Sequence, residues 1–343
     1  MSLRWSLKGL FGGFVLPLVG LLGGCGVLPS PEGAPSARDE RILRAPGGEI
    51  LTREALMEAM AGVRVLYLGE QHDNPRHHAI QEEIIAELIR RGRPLALGFE
   101  FFSREQTGWL MNHTVGKPSP FMPMSETHAE ALLRSRLGWS QREEWAFYYP
   151  LIKLAATHHL PVFGADLDQG IRTRLARTGI KEMFRVEKEG LPLTPFAHPA
   201  YATLMRAQLT EVHCGHAPAD MVARLYETWL ARNDTMAASI VSMLADLPPE
   251  GMVIVILGAG HIAHGMGVPE RVAWRQPGLS QLALGLREFP ADGGGDSLVP
   301  QPVTIDGVTF PPEYEYLWYT APAPAPDGGK EDRCRQFKTK PSN

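Results

Sequence analysis

The chain has 343 residues, of which 44% are hydrophobic and 21% are charged, and its formal net charge at pH 7 is -4. A chain of this length and composition can bury a sizeable core, so a fibrous or wholly disordered protein is excluded. There is no basic excess, which argues against DNA or RNA as a partner because binding to phosphate backbones depends on clustered Lys and Arg side chains.

The first segment has the features of an export signal. Two basic residues, Arg4 and Lys8, precede an apolar stretch over residues 10–22 that is too short and too rich in glycine for a membrane span. The stretch is followed by Gly-Gly-Cys, which resembles the end of a bacterial lipobox and makes Cys25 the expected site of lipidation. Glycine follows Cys25, which favours the outer membrane of a Gram-negative bacterium. The alternative is a secretory signal with an incidental cysteine.

Composition divides the chain into four parts. We predict a signal peptide with its lipobox over residues 1–25, a flexible tether rich in Pro, Gly and Ser over 26–41, a folded domain over 42–320 and a disordered tail over 321–343. The lipid would hold the tether at the membrane surface. Cys214 and Cys334 could form a disulfide in an exported protein, and the sequence leaves this pairing open.

The predicted elements begin with a helix that Thr52 can cap and that ends near Ala61. A buried strand follows over residues 65–68, where a short apolar run ends at a glycine. Asn74 and Pro75 then start a helix that reaches residue 90 or 91, because Asn can cap free N–H groups and Pro fits the first helical position. Helical spacing places one set of residues on the face towards the sheet: His77, Ile80, Gln81, Ile84 and Leu88.

Strands and helices alternate along the rest of the domain. Further strands are predicted over residues 95–99, 161–165, 252–257, 282–286 and 315–320, and helices over 106–109, 126–137, 141–159, 205–212, 219–231 and 234–247. This alternation is typical of an α/β fold with a mostly parallel central sheet flanked by helices. The stretches 101–160 and 196–247 are too long for simple crossovers, so we expect these insertions to form a helical cap over the sheet.

Acidic and imidazole side chains follow four of the predicted strands. In strand order they are Glu70 with His72, then Glu100, then Asp166, then His261. Because the carboxyl ends of parallel strands share one edge of a sheet, where open sheets bind ligands, we expect these side chains to lie close together. They could bind a divalent metal or act as acid and base partners. The alternative is that some are only turn or cap residues, Asp166 above all.

Several segments resemble a known family. The stretch Tyr-Leu-Gly-Glu-Gln-His-Asp-Asn over residues 67–74, with two histidines and a glutamine after it, is similar to the signature of ChaN-type lipoproteins, haem-binding members of the Tiki and TraB superfamily. Segments at 97–100, 145–150, 213–216, 232–237, 258–261 and 316–320 agree, and the resemblance covers roughly residues 60–320. Asn233 stands where the family often has Asp, and Asp166 where it usually has Asn.

The resemblance implies an exported lipoprotein that binds haem, takes part in haem or iron uptake or storage, and dimerises around haem. An outer-membrane haem receptor is a further expected partner. The resemblance also implies kinship with proteins whose paired Gly-x-x-His turns serve metal-dependent hydrolysis. We therefore expect a haem-binding protein rather than an enzyme. A metal-dependent hydrolase of protease or esterase type is the alternative, and a scaffold without a ligand is a third class.

A haem site needs an axial ligand, an apolar slot and cations for the propionates. The aromatic segment over residues 145–153 offers all three. Tyr149 is the expected axial ligand, with Lys153 one helical turn further on as a partner for a propionate. The other expected haem-binding residues are His72, His77 and His261. Three further tyrosines compete with Tyr149 for the iron: Tyr148, Tyr201 and Tyr226.

The hydrolase alternative uses a different set of residues. Glu70, His72 and His261 would bind a divalent metal ion together with Glu100, and Glu70 or Glu100 would activate its bound water. His264 would lie beside His261 on the next turn of a helix. Two further histidines, His213 and His216, could reach a metal, although the Cys-Gly pair between them favours a turn.

Overall fold

The computed structural model describes residues 40–117, 124–194, 198–290 and 298–323. The predicted signal peptide, the lipidation site Cys25 and most of the tether and tail lie outside these ranges and stay predictions. Cys214 is disulfide-bonded, while Cys334, whose pairing with Cys214 the sequence leaves open, lies outside the described residues. Within the described ranges, no helix has the length and apolar character needed to cross a membrane.

Ten strands occur in the described part of the chain. In chain order they are β1 (Arg41–Arg44), β2 (Glu49–Ile50), β3 (Val65–Glu70), β4 (Leu95–Ser103), β5 (Val162–Asp166), β6 (Met252–Gly258), β7 (Gln281–Glu288), β8 (Val303–Ile305), β9 (Val308–Phe310) and β10 (Tyr316–Thr320). β8 and β9 pair only with each other, and the other eight form one sheet in the order β2-β1-β10-β7-β3-β6-β4-β5. The pairs from β10 to β5 are parallel, whereas β1 is antiparallel to both of its neighbours.

Helices connect the strands and cover both faces of this sheet. They are α1 (Arg53–Ala61), α2 (Pro75–Arg90), α3 (Thr107–Thr114), α4 (Glu126–Arg136), α5 (Trp145–Thr157), α6 (Gln169–Thr178), α7 (Arg185–Gly190), α8 (Pro199–Val212), α9 (Ala219–Asp246) and α10 (Val268–Arg275). The expected α/β architecture, with a mostly parallel central sheet and flanking helices, is confirmed.

Each face of the sheet has its own core. Leu66 and Leu68 of β3 pack in a cluster with Ile80 of α2 and Ile152 of α5. Tyr67, between them, packs in a second cluster that contains Ile240 of α9. Successive side chains of a strand point to opposite faces of a sheet. The strand β3 is therefore buried on both sides, as the continuous apolar run at this position predicts.

The helix α2 forms as predicted. The side chain of Asn74 accepts a hydrogen bond from the backbone N–H of Arg76, and Pro75 occupies the first helical position. All five residues predicted to face the sheet are buried: His77, Ile80, Gln81, Ile84 and Leu88. Cap chemistry and helical periodicity therefore suffice to place this element.

The helix α9 differs from the prediction of two helices separated near residues 232–233. It runs unbroken from Ala219 to Asp246. Asn233 and Asp234 are buried within it, and their side chains bond to His261 and to Arg271 respectively. Asn and Asp have low intrinsic helix propensity, but tertiary partners override that preference here. The prediction of a break was wrong because those partners lie far away in the sequence.

The topology opens a crevice beside the central strands. β3 leads through α2 to β4 on one side, whereas β6 leads through α10 to β7 on the other side. β3 and β6 are neighbours, so their connections leave in opposite directions. The place where neighbouring strands connect in opposite directions is called a topological switch point. In open α/β sheets it creates a ligand crevice at the carboxyl ends of the strands.

Candidate functional site

Three buried carboxylates lie at the carboxyl edge of neighbouring strands. Glu70 ends β3, Glu100 lies near the end of β4 and Asp166 ends β5, and each residue is at most 4% exposed. β6 lies between β3 and β4, and its end contributes Gly258 and the turn that carries His261. Charged groups at this depth need partners, because burial without them is costly.

Glu70 accepts hydrogen bonds on both carboxylate oxygens. Its Oε1 accepts from the hydroxyl of Tyr148 at 2.6 Å and lies 3.1 Å from Nδ1 of His72. Its Oε2 accepts from Nε2 of Gln81 at 2.7 Å and lies 3.3 Å from Nδ1 of His78. Burial, followed by the charge of Glu70, raises the pKa of Tyr148 well above its ordinary value, so this phenol stays protonated as a donor.

Glu100 is bound from the opposite face of the sheet. Its Oε2 accepts from the backbone N–H of Gly258 at 2.6 Å, and its Oε1 accepts from Nη2 of Arg232 at 2.6 Å. Nε2 of His261 lies 3.2 Å from the same Oε1. Burial disfavours the charged carboxylate, but His261 and Arg232 outweigh it and hold the pKa of Glu100 well below its ordinary value. Glu100 is therefore ionised near neutral pH.

Arg232 joins Glu100 to Asp166. Its Nε donates to Asp166 Oδ2 at 2.9 Å, and Nη1 of Arg172 donates to the same oxygen at 2.8 Å. Asp166 is consequently one carboxylate between two guanidinium groups. The cap of α6 is Asp168, whose Oδ1 accepts from two backbone N–H groups of the first turn. Oδ1 of Asp166 also accepts from the backbone N–H of Leu167 at 2.7 Å, so Asp166 has the local turn bond of the alternative as well, while the helix cap is Asp168.

His72 lies between the two carboxylate clusters. A Cβ on Gly258 would be 2.8 Å from Cε1 of His72 and 3.4 Å from Oε2 of Glu100, so glycine is required for the ring to lie over β6. Burial opposes the charged imidazole, but the hydrogen bond to Glu70 and the charge of Glu100 raise the pKa of His72 above its ordinary value. Its side chain is 50% exposed, so His72 is the member of the cluster that faces solvent.

His261 is held more rigidly. Its Nδ1 lies 2.6 Å from Oδ1 of Asn233, and its ring stacks on Trp229 with an interplanar angle of 8°. The amide oxygen can accept from Nδ1 of His261, and the opposite ring nitrogen, Nε2, faces Glu100. The Nδ2 atom of Asn233 is buried and has no hydrogen-bond partner within the described residues. Asn233 therefore orients this imidazole without adding the charge of an aspartate.

Aromatic side chains connect His72 to Tyr149. His72 meets the ring of Phe101 edge-on with centroids 4.8 Å apart, and Phe101 lies 6.3 Å from Trp139. Trp139 lies 6.2 Å from Trp145, which stacks on Tyr149 at 5.3 Å. These separations are those of interacting aromatic pairs. We call Phe101, Trp139 and Trp145 the aromatic wall, which has an imidazole at one end and a phenol at the other.

A cavity of about 470 Å³ adjoins the aromatic wall at the carboxyl edge. Its lining includes Phe101, Trp109, Trp139, Glu100, Asp166, Arg136 and Arg172. Its volume lies within the range of about 300–1,000 Å³ that is usual for small-molecule sites. A larger cavity of about 680 Å³, lined by Pro46, Gln281, Tyr314 and others, contains none of the predicted site residues. The smaller cavity is the better candidate because the charged cluster opens into it.

Two of the predicted haem-binding residues, His77 and Lys153, are bound to other parts of the protein. His77 is fully buried, with Nδ1 accepting from the backbone N–H of Gln71 at 3.0 Å and Nε2 3.2 Å from Oγ1 of Thr320. Burial lowers the pKa of His77 to about 4, so the ring is neutral and both of its nitrogens are occupied. Lys153 is exposed and forms an ion pair with Glu126. Neither side chain lines the cavity, and the same holds for the other three predicted haem-binding residues, His72, Tyr149 and His261.

Tyr149 is the more accessible of the two adjacent tyrosines. It is 9% exposed, whereas Tyr148 is 1% exposed and bound to Glu70. Burial, and then the charges of Glu130 and Glu126, raise the pKa of Tyr149 to about 12. Its role as axial ligand stays a prediction. The competing tyrosines Tyr201 and Tyr226 pack instead around Trp229.

The donor set fits a divalent metal poorly. Within the ranges that the structure describes, no group of three or more His, Cys, Asp and Glu side chains is arranged to hold a metal ion. The guanidinium of Arg232 lies against Glu100 and would repel a cation there. His264 does not follow His261 on a helical turn, because its backbone is left-handed at φ 60° and its Nδ1 lies 2.8 Å from the carbonyl oxygen of Pro311. Nδ1 of His213 lies 2.7 Å from the carbonyl oxygen of Leu209, as in a helix cap.

Sequence reasoning missed Arg232 as a member of the site. Its signal is an arginine inside a helix whose surrounding residues are mainly buried, which requires an anionic partner. The sequence places His78 only in a motif and Gln81 only on the sheet-facing side of α2, and their contacts with Glu70 depend on the packing of α2 against β3. Periodicity can place these residues on a face of the helix, but it cannot identify their partners.

Comparisons with known proteins identify a family and a similar fold. A family model described as "Haem-binding uptake, Tiki superfamily, ChaN" matches residues 56–272. The structure of ChaN of Campylobacter jejuni, solved with cofacial haem binding, is similar with a TM-score of 0.59 and 15% identity, over 81% of this chain and 96% of that one. At this identity the likeness shows the fold.

Two more distant proteins are also similar. An erythromycin esterase mutant in its open conformation matches with a TM-score of 0.45 and 14% identity, over 84% of this chain and 98% of that one, which is too weak to carry an argument. The chloroplastic protein RETICULATA-RELATED 5 of Arabidopsis thaliana is 22% identical over 317 residues, covering 83% of this chain. The chain spans 38% of the length of that plant protein.

Proposed function

Because the chain belongs to the haem-binding ChaN family of the Tiki superfamily, we propose that it binds haem beside the aromatic wall, at the carboxyl edge of the sheet. The observation that carries this proposal is the continuous run of rings from His72 to Tyr149 next to a cavity of about 470 Å³. A porphyrin is flat and apolar and needs both an aromatic surface and a protein ligand for its iron.

The residues at the two ends of the wall fit the needs of an iron ligand. Nδ1 of His72 lies against the carboxylate of Glu70, an arrangement that orients an imidazole and makes its other nitrogen more basic. The phenol of Tyr149 could bind ferric iron as a phenolate, since coordination lowers the pKa of the bound group. When bound, haem would supply a redox-active iron and a broad absorbance band. Tyr149 and His72 are the two candidates for the axial ligand.

Titration of the purified folded domain with hemin, followed by absorbance, tests this function. We expect saturable binding with a shift of the haem band. Tyr149→Phe keeps the ring and removes the oxygen, so it should alter the spectrum if Tyr149 is the ligand, whereas His72→Ala should do so if His72 is. Tyr226→Phe is a matched control, because Tyr226 is almost equally buried at 8% exposure. Absence of saturable hemin binding would overturn the proposal.

We also propose a location and a cellular role for the protein. The lipobox before Cys25 supports an exported lipoprotein that is anchored in the outer membrane of a Gram-negative cell and serves haem or iron uptake or storage. A receptor for haem in the same membrane would then be its partner. The similar protein from Campylobacter jejuni binds haem cofacially, and we propose that haem joins two copies of this chain.

A further inference from the structure

One cation that lines the cavity, Arg136, has no acidic partner among the described residues. Arg136, the last residue of α4, lines the cavity and is exposed, and its guanidinium lies 4.6 Å from the ring centroid of Trp109. Within the described residues its side chain forms no ion pair or hydrogen bond. Contact with the indole restricts the guanidinium to a position over the ring, where it remains available to a ligand.

The anions that line the same cavity are mostly neutralised. Glu100 is bound by Arg232 and His261, and Asp166 by Arg172 and Arg232. Asp168 accepts two backbone N–H groups at the start of α6. The remaining lining carboxylate, Glu105, is exposed to water, which screens its charge. The lining carboxylates therefore do not neutralise the charge of Arg136.

We propose that Arg136 binds a carboxylate of the planar ligand and so makes the site selective for ligands that carry such groups. The inference rests on the proposed haem function, since haem has two propionates on one edge. A guanidinium matches a carboxylate with two parallel N–H···O bonds, which gives orientation as well as affinity. The ligand's acidic edge then points towards α4, and its apolar body lies along the aromatic wall. Lys153, which is paired with Glu126, is not required in this arrangement.

The test compares hemin with its dimethyl ester, in which both carboxylates are blocked. Arg136→Ala should weaken hemin binding by about three- to tenfold, as expected for one partly solvated charge-assisted contact. The same substitution should leave the affinity for the ester unchanged. Arg142→Ala is the matched control, because Arg142 also lies over a tryptophan, 5.9 Å from the centroid of Trp139, but does not line the cavity.

Metal-free protoporphyrin, followed by fluorescence, separates the carboxylate contact from iron ligation and should show the same loss with Arg136→Ala. Arg136→Gln repeats the test with a neutral side chain that retains hydrogen-bonding groups. Three results would overturn the inference while leaving haem binding intact. Arg136→Ala could weaken the binding of hemin and of its ester equally, or weaken neither. Arg142→Ala could weaken hemin binding as much as Arg136→Ala does. Failure of the unmodified protein to bind hemin at all would overturn the proposed function, and the inference with it.

Discussion

Arg232 is the side chain on which the buried charges of the site depend. It contacts two buried carboxylates, Glu100 and Asp166. Burial disfavours its charge, yet these two carboxylates raise the pKa of Arg232 above its ordinary value. Removing one member of a buried ion group leaves the others without compensation, which costs far more than the loss of a surface pair.

Arg232→Met should therefore lower the free energy of unfolding by about 3–5 kcal/mol, because Glu100 and Asp166 lose their shared cation. Arg224→Met is the control in the same helix. Its partner Asp220 is 72% exposed, so water screens the pair and we expect a much smaller loss than for Arg232→Met. Urea unfolding followed by circular dichroism measures both values. Similar losses for the two variants would contradict the assignment of Arg232 to a buried network.

The loss of unfolding free energy caused by Arg232→Met should also depend on pH. The folded pKa of Glu100 lies below its ordinary value of 4.5, so the unfolded chain takes up a proton first as pH falls. The stability from this carboxylate is present above pH 4.5 and is lost as pH falls through the folded pKa. The difference in unfolding free energy between the unmodified protein and Arg232→Met should accordingly become smaller as pH falls. A gap that stays constant from neutral pH to below 4.5 would argue against ionised Glu100 as its source.

Among the secondary-structure elements, the start of α2 fixes the turn that carries His72. Asn74 caps the helix through Oδ1, and its Nδ2 donates to Oε1 of Glu288 at 3.0 Å and to the carbonyl oxygen of Ala321 at 3.3 Å. One side chain thus joins the helix to the end of β7 and to the segment after β10. The turn between β3 and α2 is held at both of its ends.

Asn74→Ala should cost about 2–3 kcal/mol, because it removes a cap and two further bonds at a buried position. Thr52→Ala in α1 is a matched control, since Thr52 makes only the cap bond to the backbone N–H of Ala55 at 3.1 Å in an exposed setting. Its expected cost is about 1 kcal/mol. Thermal and urea unfolding of the two variants give the comparison. Equal costs would mean that the contacts of Nδ2 contribute nothing.

Local sequence patterns predict helices such as α2 and the residues at strand ends. Contacts between residues far apart in the sequence are not predicted in this way. The cap pair at residues 74–75 and the spacing of α2 place that helix and its buried face correctly, because both depend on neighbours within two turns. The acidic and imidazole residues after β3, β4 and β6 are recognisable for the same reason. The contact of Arg232 with Glu100 joins residues 132 positions apart, and the unbroken α9 depends on such contacts. The spacing of residues along the chain does not reveal such long-range contacts.

The protein as a whole presents an apolar surface near the proposed site. Three exposed hydrophobic side chains belong to α3, to α4 or to the residues just before α4: Trp109 at 45%, Met124 at 45% and Leu132 at 41%. Trp109 also lines the cavity. A flat porphyrin has two apolar faces, and the aromatic wall of one chain can cover only one of them. A second copy of the chain is the simplest cover for the other face.

Hemin should therefore convert the protein from monomer to dimer. Sedimentation velocity with and without hemin, at matched protein concentration, measures the change. Leu132→Glu places a charge on the surface that would meet the second copy, so it should weaken the dimer while the monomer still binds hemin. Trp274→Glu is the control, because Trp274 is 50% exposed on α10, whose core residues lie on the other face of the sheet, and it should leave the dimer unchanged. A species that is fully loaded with hemin and remains monomeric would exclude the shared site and leave the cavity of a single chain as the whole binding site.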